Sequence, residues 1–390
     1  MAKLKDVCII NPKSLGFDDN LEVSFVPMSK VGENGEFDPS DVKEYHEVKK
    51  GFTYFQDGDV LFAKITPCME NGKGAIACEL KNGIGFGSTE FHVLRPLTEH
   101  VSSKWLFYLL SWPSFRKEAE KNMTGSAGQK RVPKSFLEGY SVTVPTLKEQ
   151  QNITDALDKV CDLISIQKQQ LTKLDELVKA RFVELFGDAE HNEKGLPTSP
   201  MTELCEIIDG DRGKNYPKQE EFSEEGFCLF LNAKNVTSNG FSFENCMYIT
   251  EEKDKILRNG KLSRGDVVLT TRGTLGNLAF YDESVPYEHM RINSGMVILR
   301  MKRDRITERF FIEQFKMQLA SIKERIASGS AQPQLPISTM NKIVMLVPDV
   351  ELQNQFAAFV EQTDKSKLAI QQSLNKLETL EKSLIQKYFG

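Results

Sequence analysis

Apolar residues fall at Ile153, Leu157, Val160, Ile164, Leu171, Leu174, Val178 and Leu185, at steps of 4, 3, 4, 7, 3, 4 and 7. This is a heptad rhythm, with Gln167 and Arg181 in the skipped seam positions. On the same frame, shifted by 203, lie Phe356, Val360, Ile370, Leu374, Leu377, Leu384 and Tyr388, interrupted by Thr363, Lys367 and Glu381. Pro145 and Pro348 stop a helix from running back into the preceding residues. The pattern predicts helices over residues 149–186 and 352–389, each about 38 residues or about 57 Å long at 1.5 Å per residue. A stripe of that length has to be buried, and the nearest partner is the other copy. Antiparallel pairing within the chain predicts an intramolecular coiled coil and a pseudo-twofold molecule. Homodimeric coiled coils between chains are the alternative, but they leave the second copy unexplained.

Outside these helices the periodicity drops to two. β-branched and aromatic residues cluster in short runs bounded by Gly, Asn and Asp, which predicts strands. The first half has "DVLFAKI" (59–65), "GAIACEL" (74–80), "EFHVLRP" (90–96) and "YSVTVP" (140–145). The second has "DVVLTT" (266–271), "NLAFYD" (277–282), "GMVILRM" (295–301) and "KIVMLVP" (342–348). One helix is predicted in each half, over 102–122 and 307–328. The phrase "DGDVLFAK" (57–64) returns as "RGDVVLTT" (264–271), and Pro133, Pro145, Gln150 and Gly187 are answered at offset 203 by Pro336, Pro348, Gln353 and Gly390. Such self-similarity predicts two copies of one unit. The fold class is mixed α+β, with globular domains over 1–148 and 188–350 and long helices over 149–187 and 351–390.

Composition adds bounds. Hydrophobic content of 40% and charged content of 27% describe an ordinary soluble protein. No run approaches the roughly 18 apolar residues of a membrane span, and the N-terminus carries no signal-peptide pattern. Seven Cys without a CxxC pair suggest reduced thiols and a cytoplasmic location. A net charge of −5 argues against coating nucleic acid by bulk charge. Local charge differs: residues 60–148 hold 12 Lys and Arg against 7 Asp and Glu.

Catalytic patterns are not met. "GIGFGS" (83–88) has the wrong glycine spacing for dinucleotide binding and reads as a flexible loop or hairpin edge. "INPKSL" (10–15) lacks the second proline and the aromatic ring of the adenine-methyltransferase motif, and Asn11-Pro12 reads as a turn. The five His show no metal-ligand spacing. No cofactor or metal site is expected in this chain.

Two variable halves, each followed by a motif such as "GSAGQKRVP…SFLEGYSVTVPTLKEQQNI" and by a long helix ending in Phe-Gly, resemble the specificity subunit of type I restriction–modification enzymes. "GDVLFAK(I)…P…ENGK" resembles one type of target-recognition domain, and Val-Pro-x-x-x-x-Gln resembles the family's entry to each conserved helix. The second copy departs: "GSAQPQLP" is one residue shorter and lacks the basic pair, and "TTRGTLGN" replaces "AKITPCMENGK". The resemblance implies a non-catalytic reader of a bipartite double-stranded DNA target, with one domain per half-site and the helices setting the spacer. It implies two modification subunits using S-adenosylmethionine to methylate adenine, and restriction subunits using ATP and Mg. Readers on one DNA face sit about 34–36 Å apart, within the reach of a helix pair of about 57 Å. A coiled-coil scaffold whose globular ends bind proteins is the reading from another class, and an enzyme with an unrecognised site is a third.

Base reading uses Arg or Lys for guanine and Asn or Gln for adenine, while phosphates take Lys, Arg, Ser, Thr or backbone N–H groups. The loop after "DVLF" offers Lys64, Thr66, Asn71 and Lys73, and "GSAGQKR" offers Ser126, Gln129, Lys130 and Arg131. The matching places in the second half are Thr271, Arg272 and Thr274, then Ser330, Gln332 and Gln334. "DGDRGKNYPK" adds Arg212, Lys214 and Asn215.

Overall fold

The computed structural model describes every residue except Ala127 and residues 328–333. The chain divides into two compact units, one formed by Met1–Lys168 with Gln372–Gly390, the other by Gln169–Gln371. The division falls inside the long helices, so each unit owns one globular part and a segment of both.

Both units are built on the same antiparallel sheet. In the first its order is Cys8–Ile10, Phe91–Pro96, Val60–Ala63, Gly74–Ile76. In the second it is Cys205–Asp209, Met296–Met301, Asp266–Thr270, Leu278–Phe280. A second sheet keeps one parallel pair in each unit, Glu22–Val26 with Ile84–Gly87 and Cys228–Leu231 with Met290–Ile292. Short helices Leu4–Val7 and Met201–Leu204 precede the first strand of each main sheet. There the Cys8 and Cys205 thiols donate back to the carbonyls of Leu4 and Met201, and burial pushes both thiols up to about 12.

The repeated Gly-Asp is structural. Gly58 and Gly265 turn the chain at φ +86° and +92°, a conformation that side chains resist. Asp59 then accepts the N–H of Gln56 at 2.8 Å, and Asp266 that of Ser263 at 2.7 Å. Each buried carboxylate is also gripped by two nitrogens of an arginine on the neighbouring strand, Arg95 at 2.7–2.8 Å and Arg300 at 2.8–2.9 Å. The phrase recurs because both sheets need the same turn and the same buried ion pair.

Gln150 and Gln353 form a second duplicated clamp, and both are fully buried. Gln150 Nε2 donates to the carbonyls of His100 and Pro145, and its Oε1 accepts from Ser102 N–H. Gln353 does the same with Arg305, Pro348 and Thr307. Each pins the first turn of a long helix to the loop ahead of the domain helix. Gln150→Ala leaves three backbone groups without their partner and is expected to cost about 1–3 kcal/mol. A urea or thermal midpoint shift worth less than about 0.5 kcal/mol, the range of surface changes, would contradict the clamp.

The long helices run Leu147–Phe186 and Val350–Phe389, 40 residues each. Within the first unit Gln167 donates to Ser373 Oγ at 2.8 Å and the Cys161 thiol meets Glu381. Within the second, Lys367 pairs with Asp175 at 2.5 Å and the Phe182 ring packs on Phe356. Positions rise along one helix as they fall along the other, so the segments pair antiparallel in each unit. Three of the five polar interruptions of the seam, Gln167, Lys367 and Glu381, take polar partners across it, while Arg181 and Thr363 bond within their own helices to Glu184 and the Phe359 carbonyl.

Three expectations need correction. The seam at the end of the first helix moves from Arg181 and Leu185 to Phe182 and Phe186, both fully buried. A straight helix drifts about 20° per heptad from a 3.5-residue repeat, so +4 steps from Val178 keep the stripe on the core. The first domain helix is two, Ser103–Ser111 and Pro113–Lys121, because Pro113 cannot donate to the turn before it and holds Trp112 extended at ψ +127°. "GIGFGS" is not a loop. Ile84–Gly87 is a buried strand between Glu22–Val26 and Thr53–Gln56. A Cβ on Gly85 would sit 2.1 Å from the Phe55 ring and one on Gly87 2.2 Å from the Val26 carbonyl oxygen, so these glycines serve close packing.

Candidate nucleic-acid interface

In the first unit two loops 64 residues apart in sequence, at Thr66 and Lys130, are zipped together at one end of the main sheet. Thr66 N–H donates to the Lys130 carbonyl at 3.1 Å, Lys130 N–H returns to Thr66 Oγ1 at 3.2 Å, and Ile65 bridges Arg131. Val132 N–H donates to the Lys64 carbonyl at 2.8 Å. Beneath them His92 is buried, its Nε2 donating to the Val132 carbonyl at 2.8 Å and its Nδ1 facing Asn11 Nδ2. Burial lowers its pKa below the ordinary histidine value, consistent with a neutral ring that accepts from Asn11. The free end of the 67–72 loop is tied by Arg116, whose guanidinium donates to the carbonyls of Met69 and Gly72 at 2.7 and 2.8 Å. Burial lowers this arginine to about 10.

The second unit repeats the framework and changes the side chains. Leu335 N–H donates to the Thr271 carbonyl at 3.1 Å, as Val132 does to Lys64. Thr271 N–H donates to the Gly295 carbonyl, as Lys64 N–H does to Glu90. Beyond the strand, Thr270 Oγ1 accepts from Asn277 N–H and donates to the Thr274 carbonyl, folding 271–277 into a tight loop. Arg272 stands exposed on it, and among the described residues no carboxylate pairs with it. Arg212, Thr271, Arg272 and Gln334 line one cavity of about 260 Å³. Arg212 and Asp209 also border the next, about 390 Å³, with Lys214, Asn215, Arg258 and Asn259. Candidates from three separate stretches of sequence thus share one grooved surface.

A sequence model of the type I restriction modification DNA specificity domain matches residues 1–176 and 194–382. The chain belongs to this family. The specificity subunit of the type I restriction enzyme EcoAI of Escherichia coli is 45% identical over 178 residues, 44% of this chain and 30% of that protein. The EcoEI subunit from the same organism is 43% identical over 177 residues, 44% of this chain and 29% of that one. The matched stretch therefore spans less than a third of either relative. The crystal structure of the type I restriction-modification S subunit from M. genitalium aligns over 100% of this chain and 95% of its own, with TM-score 0.58 and 17% identity. A structure reported for complex assembly and conformational transition of the type I R-M system has the same score and identity, over 99% and 96%. At that identity the likeness is one of fold.

Each segment matched to the specificity family carries one loop pair. Of the sequence candidates, Asn71, Ser126, Gln129, Lys130, Lys214, Arg272, Thr274 and Gln334 are exposed there, Thr66 and Asn215 half-exposed. Several already make bonds within the protein. Thr271 is buried and its hydroxyl donates to the Gly295 carbonyl at 3.0 Å, so it is scaffold, not a reading side chain. Lys73 donates to the Met28 carbonyl at 3.2 Å. Arg131 is paired with Glu90, and Arg212 with Asp209 and the Ser294 carbonyl. Lys64 is half-buried, and burial lowers its pKa. Ser330 and Gln332 lie outside the described residues.

Sequence reasoning passed over Arg116, Glu90, Arg258 and Asn259. Arg116 sits in a polar helix and reads as solvated, with no local signal for its buried role. Arg258-Asn259-Gly260 carried a weak one, since a basic residue ahead of Asn-Gly marks an exposed turn. Among the described residues no three His, Cys, Asp or Glu side chains converge as metal ligands, and no helix is long and apolar enough to cross a membrane.

Proposed function

We propose that the chain is the DNA-sequence-reading subunit of a type I restriction–modification complex, each unit reading one half of a bipartite double-stranded target. One observation carries this reading. The same backbone framework occurs twice and presents different polar side chains, Gln129, Lys130 and Arg131 in one unit, Arg212, Arg272 and Gln334 in the other. Equal scaffolds with unequal faces suit two different base sequences, because a scaffold holding two copies of one partner would keep its faces alike. The chain itself holds no catalytic group in this reading. Two modification subunits bring S-adenosylmethionine and methylate adenine, restriction subunits bring ATP and Mg, and the assembly works on DNA in the cytoplasm. With a net charge of −5 the isolated chain neutralises few phosphates, and affinity falls steeply with that number. Tight binding is therefore expected only with the modification subunits.

The test is a band shift with a random bipartite duplex library, with and without the methylating partner. Selective retention of one bipartite sequence, strengthened by the partner, is the expected result. Equal retention of all sequences in both conditions would overturn the reading.

A further inference from the structure

Arg131, the arginine of the first unit's loop pair, is tightly held. Its Nε and Nη2 donate to the two Glu90 carboxylate oxygens at 2.9 and 2.7 Å, and Nη1 donates to the Gln129 carbonyl at 3.2 Å. A guanidinium has five N–H groups, so three are used, and each terminal nitrogen keeps one more. The side chain remains 40% exposed, beside the exposed Gln129 and Lys130. The hydrogen bond from Arg131 keeps Glu90 below the ordinary carboxylate range, so the clamp is ionised at neutral pH.

The second unit solves the same place differently. Gly295 occupies the position of Glu90, and Gln334 that of Arg131, as the matched backbone bonds of Lys64 and Thr271 establish. The arginine exposed on its loop pair, Arg272, comes from the other loop, where the first unit has Ile65.

A phosphate contact draws most of its strength from net positive charge, and a carboxylate clamped onto Arg131 cancels much of that charge. A base edge needs fixed direction, and an arginine already held loses little rotamer freedom on binding. Guanine presents two acceptors, N7 and O6, that fit two parallel N–H donors. We propose that Arg131 reads a guanine in the first half-site and that Glu90 is its positioning residue, so that the two units read guanine with arginines from different loops. This rests on the DNA-reader assignment above.

The whole 390-residue chain with its methylating partner is used to select from the random bipartite library, and the selected pools are sequenced for wild type, Arg131→Ala, Glu90→Gln and Arg272→Ala. Arg131→Ala is expected to lose guanine preference at one position of one half-site by about tenfold or more, with every other position kept. Glu90→Gln relaxes that same position. Arg272→Ala relaxes a position in the other half-site alone. Arg131→Ala with an unchanged motif, or with equal weakening on all sequences, overturns the assignment of Arg131. Glu90→Gln that leaves the motif intact overturns the positioning role. Melting curves run alongside, and if Glu90→Gln is unfolded at the assay temperature, Arg131→Ala decides the matter. A wild type that selects no bipartite motif overturns the DNA-reader assignment itself, an outcome distinct from a wild-type motif that the variants fail to change.

Discussion

Asp254→Ala is expected to destabilise the second unit by about 3–5 kcal/mol, the cost of leaving a buried charge without its partner. Asp254 and Arg291 are 3% and 5% exposed, with Nε donating to Oδ1 at 2.5 Å, and Lys261 closes the other carboxylate oxygen at 2.6 Å. Arg291 also donates to the carbonyls of Asp254, Leu257 and Asn259. The pair therefore fixes the segment that brings Arg258 and Asn259 to the groove beside Arg212 and Lys214. At the matching ladder position the first unit has Phe86, packed among Tyr45 and Tyr54. An apolar solution thus exists for this site, and Asp254→Ala combined with Arg291→Leu is expected to lose less than Asp254→Ala alone.

The pH dependence follows. Burial by itself raises the Asp254 pKa, but hydrogen bonds from Lys261 and Arg291, with their charges, outweigh it and hold the carboxyl below its ordinary value. A depressed folded-state pKa gives stability that is present above the unfolded value, about 3.9, and is lost as pH falls through the folded one. Urea unfolding followed at pH 7 and below pH 4 measures both effects. A midpoint shift worth under about 1 kcal/mol at pH 7, the size of an ordinary substitution, would show the pair to be dispensable.

Arg272→Ala is expected to cost about 1–3 kcal/mol in target binding and to relax one base position in one half-site. Arg272 leaves the strand Asp266–Thr270 on a tight loop, lines the cavity with Arg212 and Gln334, and has no carboxylate partner among the described residues. Were it a structural ion pair, its loss would lower stability. An unpaired surface arginine instead predicts a melting curve within about 0.5 kcal/mol of wild type. Lys130→Ala is the contrast: as a phosphate contact it weakens all sequences alike and lowers the salt slope by about one unit. Motif mapping and salt titration on both variants separate the roles. A change in the other half-site from Arg272→Ala would defeat the two-reader scheme.

Much of this architecture was legible in the residues alone. Helix periodicity is local, so the long helices were readable to within two residues at their starts and to the residue at Phe186 and Phe389. Strand runs such as 266–271 and 295–301 are legible for the same reason, and the repeat at offset 203 marks two copies of one unit. What sequence could not show is how residues far apart meet. Gly85 and Gly87 read as flexibility, because the Phe55 ring and the Val26 carbonyl that demand their smallness lie on neighbouring strands. Thr271 reads as a reading residue beside Arg272, yet it is buried next to the buried Thr270 and its hydroxyl is spent on the Gly295 carbonyl. Arg131 and Lys130 looked alike in "GSAGQKR", until Glu90, 41 residues away, clamped one and left the other exposed. Local pattern determines which segments become helix or strand, because the forces that select them act within a few residues. Burial, ion pairing and the composition of the grooved face belong to tertiary structure, because each depends on a partner that chain order does not reveal.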